Sequence, residues 1–234
     1  MGNAVLRGDL RARRASRKIL ATEFFYLGIL GLLAFLGLPP ELNRPDAANT
    51  TSLGLALLGV QAVLVTYFAS ACAVQEIAIE GERPAVDLAF GPFSPRLIVG
   101  GKSLASLATI AYWLVLGIPL LILAVGIRHG SPVLLVGVSA LVAAEAWGVA
   151  QIGLLYSILI DSEFSRSIAH WATLLAVFVG TLALPARDQW ANPIVAVARA
   201  AAGEFPVEAA VTYLLLGLAA GGLAQVALGR YQRA

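Results

Sequence analysis

The chain has 234 residues, of which 59% are hydrophobic and only 13% are charged, with a formal net charge of +2. Soluble globular domains carry roughly 25% charged and about 45 to 50% apolar residues, so this composition excludes an ordinary soluble domain and predicts a membrane protein. Strand-like alternation at period two is absent, which favours an all-α fold whose helices satisfy their own backbone hydrogen bonds in lipid. The single cysteine, Cys72, excludes an internal disulfide.

The N-terminal segment, residues 1–18, reads "MGNAVLRGDLRARRASRK" and mixes six cations with apolar residues. This pattern predicts a basic amphipathic segment at the surface of an anionic membrane, and a disordered basic tail is the alternative. A signal peptide is less consistent with the sequence, because the apolar run that follows is longer than a usual signal core and has no small-residue cleavage site after it.

Six apolar runs follow, each long enough to cross the roughly 30 Å hydrocarbon core as a helix. The predicted transmembrane helices are 19–38, 53–74, 104–127, 133–160, 168–184 and 209–228. Residues 185–208 are too polar and too rich in proline to cross lipid, although "PIVAVARAA" within them predicts a short interfacial helix. The whole chain, 1–234, therefore reads as a single transmembrane domain without room for a separate soluble one.

The cations predict the orientation of these helices. An even number of spans puts both termini on the same side. If that side is the cytoplasm, the inner segments hold twelve of the sixteen Lys and Arg residues. Because short loops rich in Lys and Arg stay inside, both termini and the stretch between the second and third spans are expected in the cytoplasm.

Motifs for covalent chemistry are scarce in this sequence. It contains no GxxxxGK[ST], HExxH or GxSxG pattern, and its two histidines, His129 and His170, are far apart. His170 is expected to lie at a helix end or the membrane interface. Lipid headgroups explain the basic N-terminal segment better than nucleic acid does. The chain is therefore not expected to be an enzyme, or to bind a metal or cofactor itself.

One charge lies inside a predicted span: Glu145, in "LVAAEAWGVAQ" near the middle of the fourth. An ionised carboxylate at this depth costs at least about 2.5 kcal/mol and must face protein or water. Glu145 is thus either a residue of a translocation pathway or a structural carboxyl that is protonated or hydrogen-bonded to a neighbouring helix. Gln61 and Gln151 are weaker candidates for the same two roles.

The stretch "EGERPAVDLAFGPFSPRLIVGGK", residues 80–102, breaks the apolar pattern between the second and third spans. It resembles the permease subunits of ABC-2 type transporters, whose equivalent stretch commonly reads E-x-x-G-T-x-x-x-L-L-x-x-P-L-S and is followed by GK. The matching positions are Glu80, Leu88, Pro92-Phe93-Ser94 and Gly101-Lys102. The sequence departs from the pattern at Arg83-Pro84, where Gly-Thr is usual, and at Gly91, where Thr is common. Its "NPIVAVARA" also looks like the family's extracellular helical element before the last span.

The resemblance implies that residues 76–95 form a cytoplasmic coupling helix that docks into a groove of an ATPase subunit. It assigns charged contacts to Glu76, Glu80, Glu82, Arg83 and Asp87, and apolar anchors to Val86, Leu88, Phe90 and Phe93. Pro92 and Pro95 are expected to end the helix. An amphipathic loop helix resting on lipid headgroups is the alternative for this stretch. The basic N-terminal segment corresponds to the family's amphipathic connecting helix.

The function implied by the resemblance is that of a permease subunit of an ATP-binding cassette transporter, with export expected. A second permease subunit, identical or different, completes the pathway, and separate ATPase subunits bind ATP and Mg. The expected location is the cytoplasmic (inner) membrane of a bacterium or archaeon, and the apolar spans favour an amphiphilic or hydrophobic cargo. Two alternatives remain open, namely a membrane anchor or assembly component without transport activity and a secondary carrier centred on Glu145.

Overall fold

The structure is a computed structural model and describes residues 17–37, 47–75, 94–126 and 132–232. All regular structure in these ranges is helical. The α-helices are α1 (Arg17–Gly37), α2 (Ala47–Gln75), α3 (Pro95–Gly126), α4 (Pro132–Leu159), α5 (Glu163–Phe178), α6 (Pro193–Ala201) and α7 (Val207–Tyr231). Two short 3-10 helices, Gly180–Ala183 and Ala186–Ala191, lie between α5 and α6.

Six apolar helical segments are long enough to cross a membrane. They are Leu20–Gly37, Leu53–Val74, Pro95–Ile122, Val133–Leu159, Glu163–Ala183 and Val207–Tyr231. The prediction of an all-helical fold with six candidate spans is thus confirmed for the described ranges, and the fold is compatible with a multi-pass membrane protein. Large apolar side chains point outward from the bundle, such as Phe24 and Phe35 of α1, which are about three-quarters exposed.

The bundle is built around α4, which packs most extensively against α2 on one side and α7 on the other. Leu141, Ala146 and Leu154 of α4 are fully buried in the core that these helices share. The edge helix α1 packs against α2 and α3, whereas α5 contacts the bundle along a narrow stripe. Among the candidate spans, α2 has the largest buried share, 67%, and α4 follows with 44%.

The third helix begins at Pro95, nine residues before the predicted start at 104. Proline suits the first helical position, where its missing N–H has no partner to lose. The Ser94 hydroxyl accepts a hydrogen bond from the Leu97 N–H at 3.4 Å, in the manner of a helix cap. "IVGGK" therefore lies inside α3, with Lys102 buried. The helix has 32 residues, about 48 Å at 1.5 Å per residue, which exceeds the hydrocarbon thickness.

The fifth helix also begins earlier than predicted, at Glu163 rather than 168. The Ser162 hydroxyl accepts from the Ser165 N–H, and Glu163 places a carboxylate near the positive end of the helix. Most of the polar "DSEFSRS" is consequently helix. The α-helix ends at Phe178 and the chain continues as the 3-10 helix Gly180–Ala183. The candidate span therefore ends at Ala183, one residue from the predicted end at 184.

The segment before the last span contains the helix predicted from "PIVAVARAA", which is confirmed as α6. Asn192 caps its start, since its Oδ1 accepts from the N–H groups of Ile194 and Val195 at 3.0 and 3.2 Å. Gly203, at φ 92°, closes its end, and the Glu204 N–H donates to the Arg199 carbonyl at 2.9 Å. A face of small apolar residues packs α6 onto α2 and α4, made of Pro193, Ala196, Val197 and Ala200.

Candidate functional site

Glu145 lies in the middle of α4 and has no exposed surface. Neither of its carboxyl oxygens has a hydrogen-bond partner in the described part of the chain, and no ion pair there reaches it. Its neighbours on α4, Ala146 and Val149, are fully buried apolar residues. The structure therefore places the carboxyl, which the sequence predicts within a membrane span, among buried apolar residues of the bundle.

Small residues bring α4 and α7 into backbone contact next to Glu145. A Cβ built on Gly148 would lie 2.6 Å from the Tyr213 carbonyl oxygen, and one built on Gly217 would lie 2.6 Å from the Trp147 ring and 3.2 Å from the Gly148 Cα. Even an alanine methyl does not fit at either position without a shift. We call this contact of Trp147 and Gly148 with Tyr213 and Gly217 the α4–α7 seam.

Tyr213 of α7 faces Gly148 of α4, which lies about one helical turn from Glu145. Its hydroxyl donates to the Ala191 carbonyl at 2.7 Å, which ties α7 to the residue that ends the second 3-10 helix. The Tyr213 hydroxyl therefore donates its single hydrogen to Ala191 and not to Glu145. The bond also holds the segment that leads into α6 against the Tyr213 end of the seam.

The two glutamines predicted as secondary candidates occupy different contacts. Gln61 of α2 is buried against α3, where its Nε2 donates to the Leu114 carbonyl at 3.5 Å and its side chain also hydrogen-bonds Tyr26. Gln151 of α4 is buried beside Gly221 of α7, whose built Cβ would lie 3.3 Å from its Oε1. Only Gln151 therefore shares the α4–α7 contact with Glu145, one to two helical turns away.

The sequence predicted His170 at a helix end or the membrane interface. In the structure it is buried within α5, away from the helix ends. The prediction was wrong because hydropathy placed the start of the helix too late. The His170 Nε2 lies 2.8 Å from the Ser70 hydroxyl of α2. Since the Ser70 hydroxyl donates to the Thr66 carbonyl at 2.6 Å, the imidazole N–H is the donor in the contact between α2 and α5. Tyr67 stacks on the His170 ring at a centroid distance of 6.0 Å.

Two cations that the sequence places near span ends are buried in the bundle. Arg166 of α5 is 2% exposed, and its Nη1 donates to the Ile160 carbonyl at 3.3 Å. Lys102 of α3 is 6% exposed. The burial of Arg166 could have been predicted from the sequence. Ser162 as the cap starts the helix early enough to include Arg166, and the spacing of four residues then puts Arg166, His170 and Leu174 on one helix face.

The residues assigned to a coupling helix lie outside the described residues. They are Glu76, Glu80, Glu82, Arg83, Asp87, Leu88, Phe90, Pro92 and Phe93. The structure describes the two elements that this stretch joins, α2 to Gln75 and α3 from Pro95. The assignment therefore stays a prediction.

Comparisons with known proteins do not place the chain in a family. No protein-family model matches the sequence. No curated protein matches it either.

Proposed function

We propose that this chain is the transmembrane permease subunit of an ATP-binding cassette exporter. It forms the substrate pathway together with a second permease subunit, and separate ATPase subunits supply the energy. Both termini and the stretch 76–93 face the cytoplasm, as the distribution of cations predicts.

The observation that carries the proposal is the short helix α6 between the fifth and sixth candidate spans. The ABC-2 resemblance expects a helical element around Asn-Pro at this point, and Asn192 and Pro193 begin α6. The helix packs onto α2 and α4 instead of standing free of the bundle. This arrangement, together with six apolar helices that could cross a membrane, supports the family that the sequence pattern suggests.

The proposed coupling stretch has a location suited to its role. It joins the end of α2 to the start of α3, two helices that pack against each other within the bundle. In the proposed mechanism ATP binding draws the ATPase subunits together, and the stretch transmits their movement to both helices. Charged residues such as Glu80 pair with the ATPase, and Phe90 fills an apolar pocket in its groove.

The first test is whether a neighbouring gene encodes an ATPase with Walker motifs, whose absence would contradict the proposal. The second is co-purification with that ATPase. The tagged wild-type chain is expected to recover the ATPase, and Glu80→Lys with Phe90→Ala is expected to lose most of it. A matched control is Glu204→Lys with Phe205→Ala, which changes the same residue types in an exposed turn next to α6 and should leave recovery intact. Equal recovery by the two double variants would contradict docking through the stretch 76–93.

A secondary carrier centred on Glu145 is the second candidate, favoured by the complete burial of an unpartnered carboxyl. Uptake into liposomes separates the two functions. A carrier transports when an ion or proton gradient is imposed without ATP and loses that activity in Glu145→Gln. The proposed exporter moves cargo only when the ATPase subunits and ATP are present, so gradient-driven transport by the isolated chain would overturn the proposal.

A further inference from the structure

We propose that Glu145 is a proton-binding site controlled by the α4–α7 seam. The carboxyl holds a proton while the seam is closed, as it is in this structure, and releases the proton to water when the seam opens. The proposal concerns a ligand of the chain itself, the proton, and does not depend on the identity of the energy source.

The first argument is the burial of the carboxyl. Glu145 has no exposed surface, and within the described ranges no donor contacts either oxygen. Moving an ionised carboxylate from water into such an apolar interior costs several kcal/mol even after relaxation, and a neutral acid avoids this cost by keeping its proton. The closed seam therefore requires the protonated form.

The second argument is that the charged groups on the adjoining helices have other positions or partners. On α7, the Tyr213 hydroxyl donates to Ala191. On α5, Arg166 donates to the Ile160 carbonyl and His170 to Ser70. On α6, Arg199 is an exposed partner of Glu204 at 3.5 Å.

Three cations remain on described helices packed against α4: Arg96 of α3 and Arg230 of α7 are exposed, and the third is the buried Lys102 of α3. It forms no ion pair with Glu145, whose oxygens are without a partner in the described part of the chain. The fully buried Thr66 of α2 carries no charge. No described cation thus compensates a negative charge at Glu145, whereas a proton bound to the carboxyl removes that charge.

The third argument is the construction of the seam. Gly148 and Gly217 bring the backbones of α4 and α7 together, and no gap remains for even one added methyl group without a shift. Water reaches the carboxyl from this side only if the helices separate. Glycine side chains do not interdigitate with the facing helix as long side chains do. Two helices in contact through glycines can therefore separate without withdrawing a large side chain from a pocket.

The proposed step is a proton transfer to solvent. When the seam opens, the O–H bond of the carboxylic acid breaks, the electron pair stays on the carboxylate, and a water molecule accepts the proton. Closing the seam reverses the transfer. The opening and closing of the bundle are then coupled to the release and uptake of one proton per chain.

Infrared spectroscopy of the purified chain in nanodiscs tests the protonation. At neutral pH the wild type is expected to show the carbonyl band of a protonated carboxylic acid, which Glu145→Gln lacks. Glu163→Gln is the matched control because Glu163 is exposed at the start of α5, and it should keep the band. Glu145→Asp retains an acid and should shift the band, which identifies it even if the Gln variant folds poorly. A spectrum with no acid band that responds to residue 145 would overturn the proposal.

Exchange of the carboxyl proton in D₂O tests the role of the seam. The band should shift slowly in the wild type and at least several-fold faster in Gly217→Ala, whose added methyl group forces the helices apart. Gly222→Ala is the control on the same helix, since a Cβ there meets no atom within 4 Å, and it should exchange at the wild-type rate. Equal rates in Gly217→Ala and the wild type would refute the seam as the gate. Neither measurement requires an ATPase, so its outcome is independent of the proposed transport function.

Discussion

The α4–α7 seam and the inner stripe of α5 bury polar groups in opposite ways. At the seam, glycine contacts hold two helices together by shape, and the buried carboxyl beside them has no described partner. Along α5, the buried polar residues bond to other elements, Arg166 to the Ile160 carbonyl and His170 to Ser70, while most of the helix surface is exposed. The difference indicates that hydrogen bonds hold α5 against the bundle, whereas close van der Waals packing holds α4 and α7 together.

The largest effect in this comparison is expected from Gly148→Ala at the seam. The added methyl group would meet the Tyr213 carbonyl oxygen at 2.6 Å, and because both groups belong to helix backbones, the helices must move. Overpacking of this kind costs about 3 kcal/mol of unfolding free energy. Thermal unfolding in detergent, followed by near-UV circular dichroism, measures the loss.

Gly222→Ala on α7 is the control for Gly148→Ala. Its new methyl group points into open space, and alanine is favoured over glycine in a helix by up to about 1 kcal/mol. The two substitutions are therefore expected to have opposite signs. A seam variant as stable as the control would show that the backbones of α4 and α7 are not in contact.

An intermediate effect is expected from Asn192→Ala, at the junction between α5 and α6. The Asn192 Nδ2 donates to the Phe178 carbonyl at 2.8 Å and to Thr181 at 2.9 Å, while its Oδ1 caps α6. The substitution removes the cap of α6 and leaves the Phe178 carbonyl without its Asn192 donor. Together these losses cost about 2 kcal/mol of unfolding free energy. The measurement is hydrogen exchange of α6 amides, which should accelerate before the rest of the bundle does.

Gln189→Ala provides the comparison for Asn192→Ala. The Gln189 amide also bridges two carbonyls, those of Leu182 and Leu184, but these bonds are exposed. Water replaces them after substitution, so little stability should be lost. If the α6 amides exchanged at the same rate in both variants, burial would not explain the importance of the Asn192 hydrogen bonds.

The smallest effect is expected from His170→Ala in the stripe of α5. The substitution removes the bond to Ser70 and the stacking on Tyr67. Hydrogen bonds between membrane helices average about 0.6 kcal/mol because the separated helices find other partners, and with the lost ring contact about 1 kcal/mol is expected. Thermal unfolding measures it, with exposed Ser167→Ala as the control. A loss as large as that of Gly148→Ala would contradict the description of α5 as a helix that contacts the bundle only along a narrow stripe.

Much of the fold could be predicted from apolar runs, because lipid demands continuous helices of a given length. Hydropathy misplaced the helix starts at Pro95 and Glu163, where the polar residues that begin the helix resemble a loop. Local chemistry held the missing information, since Ser94 and Ser162 are ordinary helix caps. Helix ends follow capping rather than hydrophobicity.

The candidate site was only partly predictable. A carboxylate in the middle of an apolar run identifies Glu145 by its energetic cost alone. Whether Gly148 faces Tyr213 and Gly217 faces Trp147 depends on how α4 and α7 are rotated about their axes. A glycine-rich sequence does not determine that rotation. The same uncertainty hid the contact between Ser70 and His170, which are 100 residues apart in the chain.

The length of α3 has a mechanical consequence for the proposed coupling stretch. Its first residue, Pro95, lies beside Gly229 near the end of α7, where a Cβ built on the glycine would be 3.6 Å from the Pro95 Cγ. The start of α3 therefore has a neighbouring helix beside it. A continuous helix is stiff along its axis, and a push delivered at Ser94 travels the length of α3 instead of being absorbed by a loop. Pro119 is the one proline within the helix and is its most compliant point. In the proposed mechanism, the part of α3 before Pro119 would carry a movement at Ser94 into the bundle as a displacement along the helix axis.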